Sequence, residues 1–311
     1  MSRTVLRTAD AWYVARGAEA TKIETCAATT GALLADRPAI TAAAAGPATD
    51  RVADLVLVSP VTAPCRVVAQ MTNFASHVTD SGMDPRTVPL TFFRKTSGSI
   101  SGPFDDVVKP PHVRLLDYEV EIGLVIGREL PVGSEIAAPE ECVAGLVVTD
   151  DVSARDIQLP KTQFYEAKSY PTFTPAGPAL VLLEPGDFER FTDLRLRLSV
   201  NGSVRQDSVV GADMIHRPLE ALRALTRFQR LDPGDLVLTG TPAGTALSAP
   251  PKAVEKIAAL LPPSLKWKLF FKGQAKNPKY LADGDVVEAS AATDDGALDL
   301  GTQRTIVRHP R

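Results

Sequence analysis

Short runs of valine, isoleucine and leucine, separated by glycine, proline and aspartate, recur along this chain from Cys65 onward. Apolar runs of roughly four to eight residues between turn-forming residues are typical of β-strands, whereas helices show longer periodic segments. The pattern predicts a fold of the α+β class that is predominantly β. The predicted strands are 66–71, 118–126, 143–149, 179–183, 194–200, 236–239 and 286–289.

Local signals add a hairpin and two helices to these strands. Asn201-Gly202 directly follows a predicted strand, and this dipeptide favours a two-residue hairpin turn. Apolar residues recur at helical spacing in 214–228, and 253–261 ends before two prolines, so both segments are predicted helices. The basic, aromatic segment 266–279 shows neither period and is predicted to be a covering loop or an insertion.

The residues before Cys65 have a different composition. The segment 27–47 is rich in alanine and threonine, which favours a helix or a loop, and prolines follow at positions 60 and 64. We therefore predict a small N-terminal region at 1–64 and a larger domain at 65–311.

Charge and hydropathy narrow the classes of partner. The net charge is −3 and the basic residues are dispersed, whereas nucleic-acid binding needs clustered lysine and arginine. A negative charge gives no attraction to an anionic membrane surface, and no apolar run approaches the roughly 18 residues of a membrane span. The N-terminus also lacks the apolar core of a secretory signal, so we expect a cytoplasmic protein that binds neither nucleic acid nor membrane.

Two glutamates in a predicted strand are the first candidate site residues. Side chains two positions apart face the same side of a strand, so Glu119 and Glu121 point together while Val120 and Ile122 point into a core. Adjacent carboxylates repel unless a positive charge lies between them, and oxygen ligands favour Mg²⁺, Mn²⁺ or Ca²⁺. The pair therefore indicates either a divalent-metal site or two solvated glutamates on an exposed strand face.

A second acidic cluster follows the predicted strand 143–149. Asp150 or Asp151 could complete a three-carboxylate site, because side chains at strand ends often meet a binding site. Arg155 and Gln158 lie three residues apart on a predicted helical turn, so both can face one ligand. The alternative for this segment is a helix cap with a cluster of ion pairs.

Two further residues are candidates for the same site. Lys168 is either a solvated lysine, as most lysines are, or a cation of the site. His77 precedes a polar stretch that contains glycine and proline, ends at Pro89 and suits a movable segment over a ligand.

Several other enzyme classes lack their sequence signatures. Tyr165 and Lys168 stand closer together than the tyrosine and lysine of short-chain dehydrogenases. No glycine-rich dinucleotide fingerprint follows an N-terminal strand, and the turn 239–244 lacks the lysine of a P-loop. No GxSxG motif supports a serine hydrolase, and the cysteines form no CxxC pair that would bind zinc.

Six segments together resemble the fumarylacetoacetate hydrolase family. They occur in the family's order and cover roughly 65–307, whereas the residues before them match nothing in the family. The segments are DYEVEIGLVIG (117–127), VTDDVSARDIQ (148–158), AKSYPTFTPAGP (167–178), NGSVRQD (201–207), LDPGDLVLTGTPAG (231–244) and ADGDVVE (282–288).

The resemblance implies a catalytic domain of rolled, layered mixed β-sheets at 65–311, a homodimer, and a bound Mg²⁺, or else Mn²⁺ or Ca²⁺. It assigns the metal to Glu119, Glu121 and Asp151. Asp150 stands where the family usually has asparagine, which implies support of the site rather than ligation.

The resemblance also assigns the substrate contacts. Arg155, Gln158 and Lys168 match positions that contact the substrate and the developing oxyanion. Thr241 matches a threonine that binds a substrate carboxylate, and His77 matches the catalytic histidine of the family's N-[YF]-x-x-H lid motif.

The chain departs from the family pattern in two places. Val88 stands where many relatives have a glutamate that pairs with the lid histidine, which leaves Asp80 or Asp84 as candidate partners of His77. After Gly244 the chain continues through 248–279 before the next matching segment, and such an insertion could cover the site and alter substrate choice.

The function implied by the resemblance is metal-dependent hydrolysis of a C–C bond in an acylpyruvate or 2,4-diketo acid through a metal-stabilised enolate. The expected partner is thus a small keto or enol carboxylate. One alternative omits the attack of water: decarboxylation of an oxaloacetate-like acid or enol–keto isomerisation, which the departure at Val88 favours. Another is a metal- and ligand-binding protein without turnover.

Overall fold

The computed structural model describes residues 2–161, 163–247 and 261–310. The strands are β1 (Arg3–Arg7), β2 (Trp12–Arg16), β3 (Glu19–Lys22), β4 (Asp50–Arg51), β5 (Val67–Gln70), β6 (Phe92–Lys95), β7 (Ile100–Ser101), β8 (Val107–Val108), β9 (Leu116–Asp117), β10 (Val120–Ile126), β11 (Val143–Asp150), β12 (Ser153–Ala154), β13 (Thr174–Pro175), β14 (Leu180–Leu182), β15 (Leu194–Val200), β16 (Ser203–Val209), β17 (Leu236–Leu238), β18 (Val286–Thr293) and β19 (Asp299–Arg308).

Short helices connect these strands. The α-helices are α1 (Thr30–Ala35), α2 (Arg37–Ala45), α3 (Ala75–Asp80), α4 (Arg155–Gln158), α5 (Val210–Asp213), α6 (Pro218–Thr226) and α7 (Pro263–Gln274). The 3-10 helices are Val52–Asp54, Pro85–Thr87, Ser97–Ser99, Pro139–Glu141 and Asp187–Asp193. Among the described residues, none of the helices is long and apolar enough to span a membrane.

A ten-stranded mixed sheet forms the centre of the fold, in the order β4-β3-β2-β1-β14-β11-β10-β17-β5-β6. The antiparallel strands β10 and β11 lie in its middle and are buried along their whole length. Both are rich in valine, isoleucine and leucine, whose side chains pack well on a pleated surface. Strands buried on both faces require a covering layer on each side of the sheet.

The first covering layer is a five-stranded sheet in the order β16-β15-β18-β19-β8. Leu196 and Leu198 of β15 share a core cluster with Ile122 and Leu124 of β10. The two sheets are also joined by Gln303, whose side-chain amide donates a hydrogen bond to the carbonyl oxygen of Val148 at 3.0 Å. Burying one large apolar side chain contributes about 1.5–3 kcal/mol, so this interface is a main source of stability.

The second covering layer consists of α1 and α2 from the N-terminal residues. Leu33 and Ile40 of these helices share a core cluster with Val125 and Val147 of the central strands. Strand β1 pairs antiparallel with β14, so β1, β2 and β3 extend the large sheet. The N-terminal residues therefore contribute both a layer and a sheet edge, and the division of the chain at residue 64 stays a prediction.

Most sequence predictions of secondary structure are confirmed, and with them the predominantly β fold. Each predicted strand is present, with both ends correct at 194–200 and one or both ends shifted in the others, and the helix predicted at 214–228 is the shorter α6. Asn201 and Gly202 join β15 to β16 with φ values of 51° and 76°, as a primed hairpin turn requires. Apart from its last residue, the helix predicted at 253–261 lies outside the described residues.

The prediction of a loop at 266–279 is wrong, because α7 occupies most of this segment. Trp267, Phe270 and Phe271 are three and four residues apart and come together on the helix, where Trp267 stacks on Phe271 with ring centroids 5.5 Å apart. Lysines at positions 266, 268 and 272 stand beside these aromatic residues and obscured the helical period in the sequence. The strands β1 to β3 were likewise missed.

The turn after β17 gives a test of local geometry. Gly244 has φ +108°, and a Cβ atom there would lie 1.9 Å from the backbone oxygen of Arg205, whereas Gly17, at φ +61°, has open space around it. We expect Gly17→Ala to cost about 1–2 kcal/mol of unfolding free energy for its left-handed backbone alone. Gly244→Ala should cost about 3 kcal/mol or more, since overpacking adds roughly 1–3 kcal/mol. Chemical denaturation of both variants measures the difference, and equal costs would contradict the close packing at Gly244.

Candidate metal centre and active-site cavity

The register of β10 and β11 brings the predicted acidic residues together. Val120 pairs with Asp150, so the start of β10 lies beside the end of β11. The N–H group of Asp151 donates to the carbonyl oxygen of Glu119 at 2.8 Å and fixes the two backbones just beyond the ladder. One carboxylate oxygen each from Glu119, Glu121 and Asp151 then lies within 4.8 Å of the others. The predicted cluster therefore forms in the fold.

These carboxylates are buried rather than solvated. Glu119 is 6% exposed, Glu121 1% and Asp151 0%, which excludes the alternative of glutamates on an exposed strand face. The intervening Val120 and Ile122 lie in the core between the sheets, as the alternation predicts.

Lys168 and Lys95 form buried ion pairs with carboxylates of the cluster. The ammonium group of Lys168 donates to Glu119 Oε2 at 2.5 Å and to Asp151 Oδ2 at 2.6 Å. The ammonium group of Lys95 donates to Asp151 Oδ1 and to the carbonyl oxygen of Phe173. Burial lowers the pKa of a lysine, but the charges of Asp151 and Glu119 outweigh burial and raise the pKa of Lys168 above its ordinary value.

Arg155 is held by two carboxylates and one amide. Its Nε donates to Asp117 at 2.7 Å, a second nitrogen donates to Glu119, and Nη1 donates to Gln158 Oε1 at 2.8 Å. Arg155 and Gln158 thus lie together on α4, as their spacing predicts. Asp117 also accepts from the backbone N–H groups of Ala246 at 2.7 Å and Leu247 at 3.1 Å. This carboxylate therefore couples the site to the segment after Gly244.

Negative charge exceeds positive charge in this cluster. Five buried carboxylates surround three buried cations, which leaves an excess of two negative charges when all of them are ionised. The carboxylates are Asp117, Glu119, Glu121, Asp150 and Asp151, and the cations are Lys95, Arg155 and Lys168.

The excess negative charge and burial have their largest effect on the pKa of Glu121. Burial and then the neighbouring charges of Asp151 and Glu119 raise the pKa of Glu121 well above its ordinary value. Glu119 differs because Arg155 and Lys168 outweigh the effect of burial and lower its pKa. A divalent cation would neutralise the excess charge, and hard oxygen donors suit Mg²⁺, Mn²⁺ or Ca²⁺. The residues present therefore fit a divalent metal site.

Asp150 is a buried carboxylate that contacts the backbone of Glu119. Its Oδ1 accepts from the backbone N–H group of Glu119 at 2.7 Å, while Oδ2 has no hydrogen-bond partner among the described residues. Burial raises the pKa of Asp150 to about 7. Its contact with the backbone of Glu119 agrees with a supporting residue.

A cavity of about 450 Å³ opens beside the carboxylates. His77 of α3 lines it, and its Nδ1 has no hydrogen-bond partner in the described part of the chain. Burial lowers the pKa of His77, so the ring is neutral near pH 7 and able to accept a proton. The carboxylate of Asp84, one of its proposed partners, binds Arg86 instead.

Thr241 also lines the cavity, at the turn after β17. Its hydroxyl donates to the carbonyl oxygen of Val120 at 2.9 Å and accepts from the side-chain amide of Gln206 at 2.8 Å. Protein groups therefore hold the hydroxyl, and its contact with a substrate carboxylate stays a prediction. Next to it, the N–H group of Gly240 donates to Glu121 Oε2 at 2.7 Å.

Two charged residues that form ion pairs with predicted site residues were missed in the sequence, Asp117 and Lys95. Asp117 continues the period-two alternation of Glu119 and Glu121, and this signal could have identified it. Lys95 lies on β6, 56 positions from Asp151 along the chain, and local sequence gives no sign of that contact.

Comparisons with known proteins place this chain in a known family. The model described as "Fumarylacetoacetate (FAA) hydrolase C-terminal" matches residues 66–308. The mitochondrial oxaloacetate tautomerase of Bos taurus is 35% identical over 202 residues, which are 64% of this chain and 62% of that protein. The 2,4-didehydro-3-deoxy-L-rhamnonate hydrolase of Sphingomonas sp. (strain SKA58) is 34% identical over 246 residues, which are 79% of this chain and 74% of that protein.

The fold has similar solved structures. The crystal structure of a probable 2-hydroxyhepta-2,4-diene-1,7-dioate isomerase from Mycobacterium abscessus aligns with a TM-score of 0.75 and 26% identity, covering 100% of both chains. The match to the bovine protein spans less than two thirds of that relative's length. The family model nevertheless matches most of the chain, from residue 66 to residue 308. This chain belongs to the fumarylacetoacetate hydrolase family.

Proposed function

We propose that this chain is a divalent-metal-dependent enzyme that hydrolyses a C–C bond in an acylpyruvate or another 2,4-diketo acid. The observation that carries the proposal is the buried cluster of Glu119, Glu121 and Asp151, which opens on a cavity lined by His77. The relative from Sphingomonas, named as a hydrolase of a 2,4-didehydro acid, supports the same substrate class.

In this proposal Glu119, Glu121 and Asp151 hold the metal ion, with Mg²⁺ as the first candidate. When bound, the ion supplies Lewis-acid polarisation of a carbonyl, which is typically worth several kcal/mol. Lys168 and Arg155 hold fixed positive charges beside the cluster, where they stabilise negative charge as it develops on the substrate. Both are locked by carboxylates, so little reorganisation is needed during the reaction.

Gln158 and His77 complete the set of reacting groups. Because Gln158 Oε1 accepts from Arg155, the amide nitrogen of Gln158 is left to donate to the substrate. The neutral ring of His77 takes a proton from water, and the activated water attacks the distal carbonyl of the diketo acid. The bond between that carbonyl carbon and the adjacent carbon then breaks, giving a carboxylic acid and the enolate of pyruvate, which takes up a proton.

Enol–keto tautomerisation is the second candidate. It needs the enolate and a proton acceptor but no attack by water. The pairing of Asp84 with Arg86, away from His77, favours it, because no carboxylate hydrogen bond to His77 Nδ1 is present among the described residues. The name of the bovine relative, an oxaloacetate tautomerase, points the same way.

A product assay separates the two candidates. Protein stripped with EDTA and reloaded with Mg²⁺ or Mn²⁺ is incubated with acetylpyruvate and with oxaloacetate. Hydrolysis releases pyruvate and acetate from acetylpyruvate, whereas a tautomerase changes only the ultraviolet absorbance of the enol form and releases no second acid. Release of carbon dioxide from oxaloacetate would indicate decarboxylation. Failure of every substrate to react, with metal and without it, would contradict the proposal.

His77→Asn tests the proposed proton transfer. We expect kcat to fall about 10²- to 10⁴-fold, the usual contribution of a general base, while Mn²⁺ binding measured by calorimetry stays unchanged. His112→Asn is the matched control, since His112 is exposed and pairs with Tyr170. Loss of metal binding in His77→Asn, or full activity in it, would contradict the role assigned to His77.

A further inference from the structure

The cavity beside the metal centre has two chemically different parts. Its charged part contains Glu119 and Glu121 of the carboxylate cluster together with Arg155 and Lys168. Its other part, which we call the apolar wall, consists of Met71, Met83, Phe93, Leu159, Phe164, Leu247 and Phe270. The proposed function assigns no role to the apolar wall, so this wall is open to a further interpretation.

The apolar wall directly adjoins the charged part. Phe93 lies under Lys168, with the ammonium nitrogen 5.4 Å from the ring centroid. Phe164 packs edge-on against Phe93, with the ring centroids 5.6 Å apart. A substrate whose keto acid end lies at the carboxylate cluster therefore extends its other end over aromatic surface.

Helix α7 supplies Phe270 to this wall. Just after the helix, the side chain of Asn277 donates to the carbonyl oxygen of Ala246 at 2.8 Å, and the N–H group of Ala246 donates to Asp117 at 2.7 Å. The guanidinium group of Arg114 also lies 5.9 Å from the ring centroid of Phe271. The helix is thus attached to the residues of the metal centre, and the position of Phe270 is defined relative to the reacting groups.

The cations that line the cavity are already paired. Arg155 bonds Asp117 and Glu119, while Lys168 bonds Glu119 and Asp151. No other lysine or arginine lines the cavity among the described residues. A second carboxylate on the substrate would lie against the apolar wall without a cation, and burial of an unpaired charge is unfavourable.

Gln70 adds a polar group to the lining of this cavity. It ends β5, lines the cavity and is 2% exposed, and neither atom of its amide has a hydrogen-bond partner within the described residues. Buried amides are nearly always paired, so an unpaired amide in a cavity wall indicates a partner supplied by a ligand or by water. The amide offers both a donor and an acceptor, which suits a neutral carbonyl or hydroxyl group.

We propose that the substrate is a keto or enol acid whose distal end is uncharged and apolar, such as an aryl or alkyl acyl group, and that Gln70 binds a neutral oxygen of this substrate. This inference rests on the proposed function and specifies its substrate class. Helix α7, through Phe270, is then a determinant of specificity.

Three acylpyruvates test the inference: benzoylpyruvate with an aryl end, acetylpyruvate with a short end and fumarylpyruvate with a second carboxylate. With the metal-loaded enzyme, we expect kcat/KM for benzoylpyruvate to exceed that for fumarylpyruvate by about tenfold or more. Phe270→Ala should lower kcat/KM for benzoylpyruvate about tenfold and leave acetylpyruvate nearly unchanged. Phe228→Ala is the control, since Phe228 is 63% exposed and lies outside the cavity wall.

Gln70→Leu tests the polar contact separately. If Gln70 binds substrate, the variant raises KM for the acylpyruvates while its melting temperature stays equal or rises, because an unpaired amide is removed. A lower melting temperature with unchanged KM would instead assign Gln70 a structural role and overturn this part of the proposal.

The outcomes distinguish the inference from the proposed function. Preference for fumarylpyruvate, or a ratio between benzoylpyruvate and acetylpyruvate that Phe270→Ala leaves unchanged, overturns the inference while C–C hydrolysis stands. If none of the three compounds is cleaved or binds to the metal-loaded enzyme in calorimetry, the proposed function fails and the inference fails with it.

Discussion

Glu121→Gln is expected to lower kcat/KM about 10³-fold, because Lewis-acid polarisation contributes several kcal/mol and each 1.36 kcal/mol is about a factor of ten. The amide cannot replace the anionic ligand in the cluster with Glu119 and Asp151. The metal-free variant should nevertheless unfold at the same or a higher temperature, because a buried carboxylate repelled by Asp151 and Glu119 has been removed.

Glu121→Gln is thus expected to weaken metal binding while it preserves or raises the stability of the metal-free protein. Saturating Mg²⁺ stabilises a protein that binds it by about 2.7 kcal/mol at one hundred times Kd, and Glu121→Gln should lose most of that increment. Thermal unfolding with and without Mg²⁺ measures it, and Glu140→Gln is the control because Glu140 is exposed and outside the site. An unchanged increment in Glu121→Gln would show that the carboxylates do not bind the metal.

Lys168→Met has the second large expected effect. Its ammonium group bonds both Glu119 and Asp151, so its removal leaves two buried carboxylates without their shared cation. Breaking a buried ion pair from one side typically costs about 3–5 kcal/mol of unfolding free energy. We also expect kcat to fall about 10²- to 10³-fold, as when one stabilising donor at a developing oxyanion is removed.

Chemical denaturation and steady-state kinetics measure these two effects of Lys168→Met. Lys161→Met is the matched control, since Lys161 forms an exposed ion pair with Glu166, and such pairs contribute at most about 1 kcal/mol. Adding a saturating divalent metal should restore part of the lost stability, because the ion brings positive charge to the same carboxylates. Normal kinetics in a stable Lys168→Met protein would show that Lys168 has no role in the reaction.

The alternation of acidic and apolar residues in 117–126 made much of the site predictable from the sequence. Period two placed Glu119 and Glu121 on one face and Val120 and Ile122 on the other, and the structure confirms both placements. The end of a predicted strand indicated Asp150 or Asp151 as the third carboxylate, and the resemblance to the family chose Asp151. These features depend on neighbours in sequence or on one strand pairing, so local patterns contain them.

Other parts of the site depend on contacts that local patterns do not contain. Lys95 reaches Asp151 from β6, and Gln70 enters the same cavity from β5, both through the strand order of the large sheet. The sequence of 266–279 predicts a loop or an insertion rather than α7, because lysines at 266, 268 and 272 stand beside the aromatic residues and hide the helical period. The resemblance to a family assigned ligands and reaction class, but it gave no account of residues that the family does not share.

The central claim is that Glu119, Glu121 and Asp151 bind one divalent cation, and anomalous diffraction from crystals soaked in Mn²⁺ tests it most directly. The account predicts an anomalous peak among the three carboxylates and no such peak in Glu121→Gln. A metal-dependent enzyme whose Mn²⁺ peak lies elsewhere, or crystals that show no peak among these residues, would contradict it.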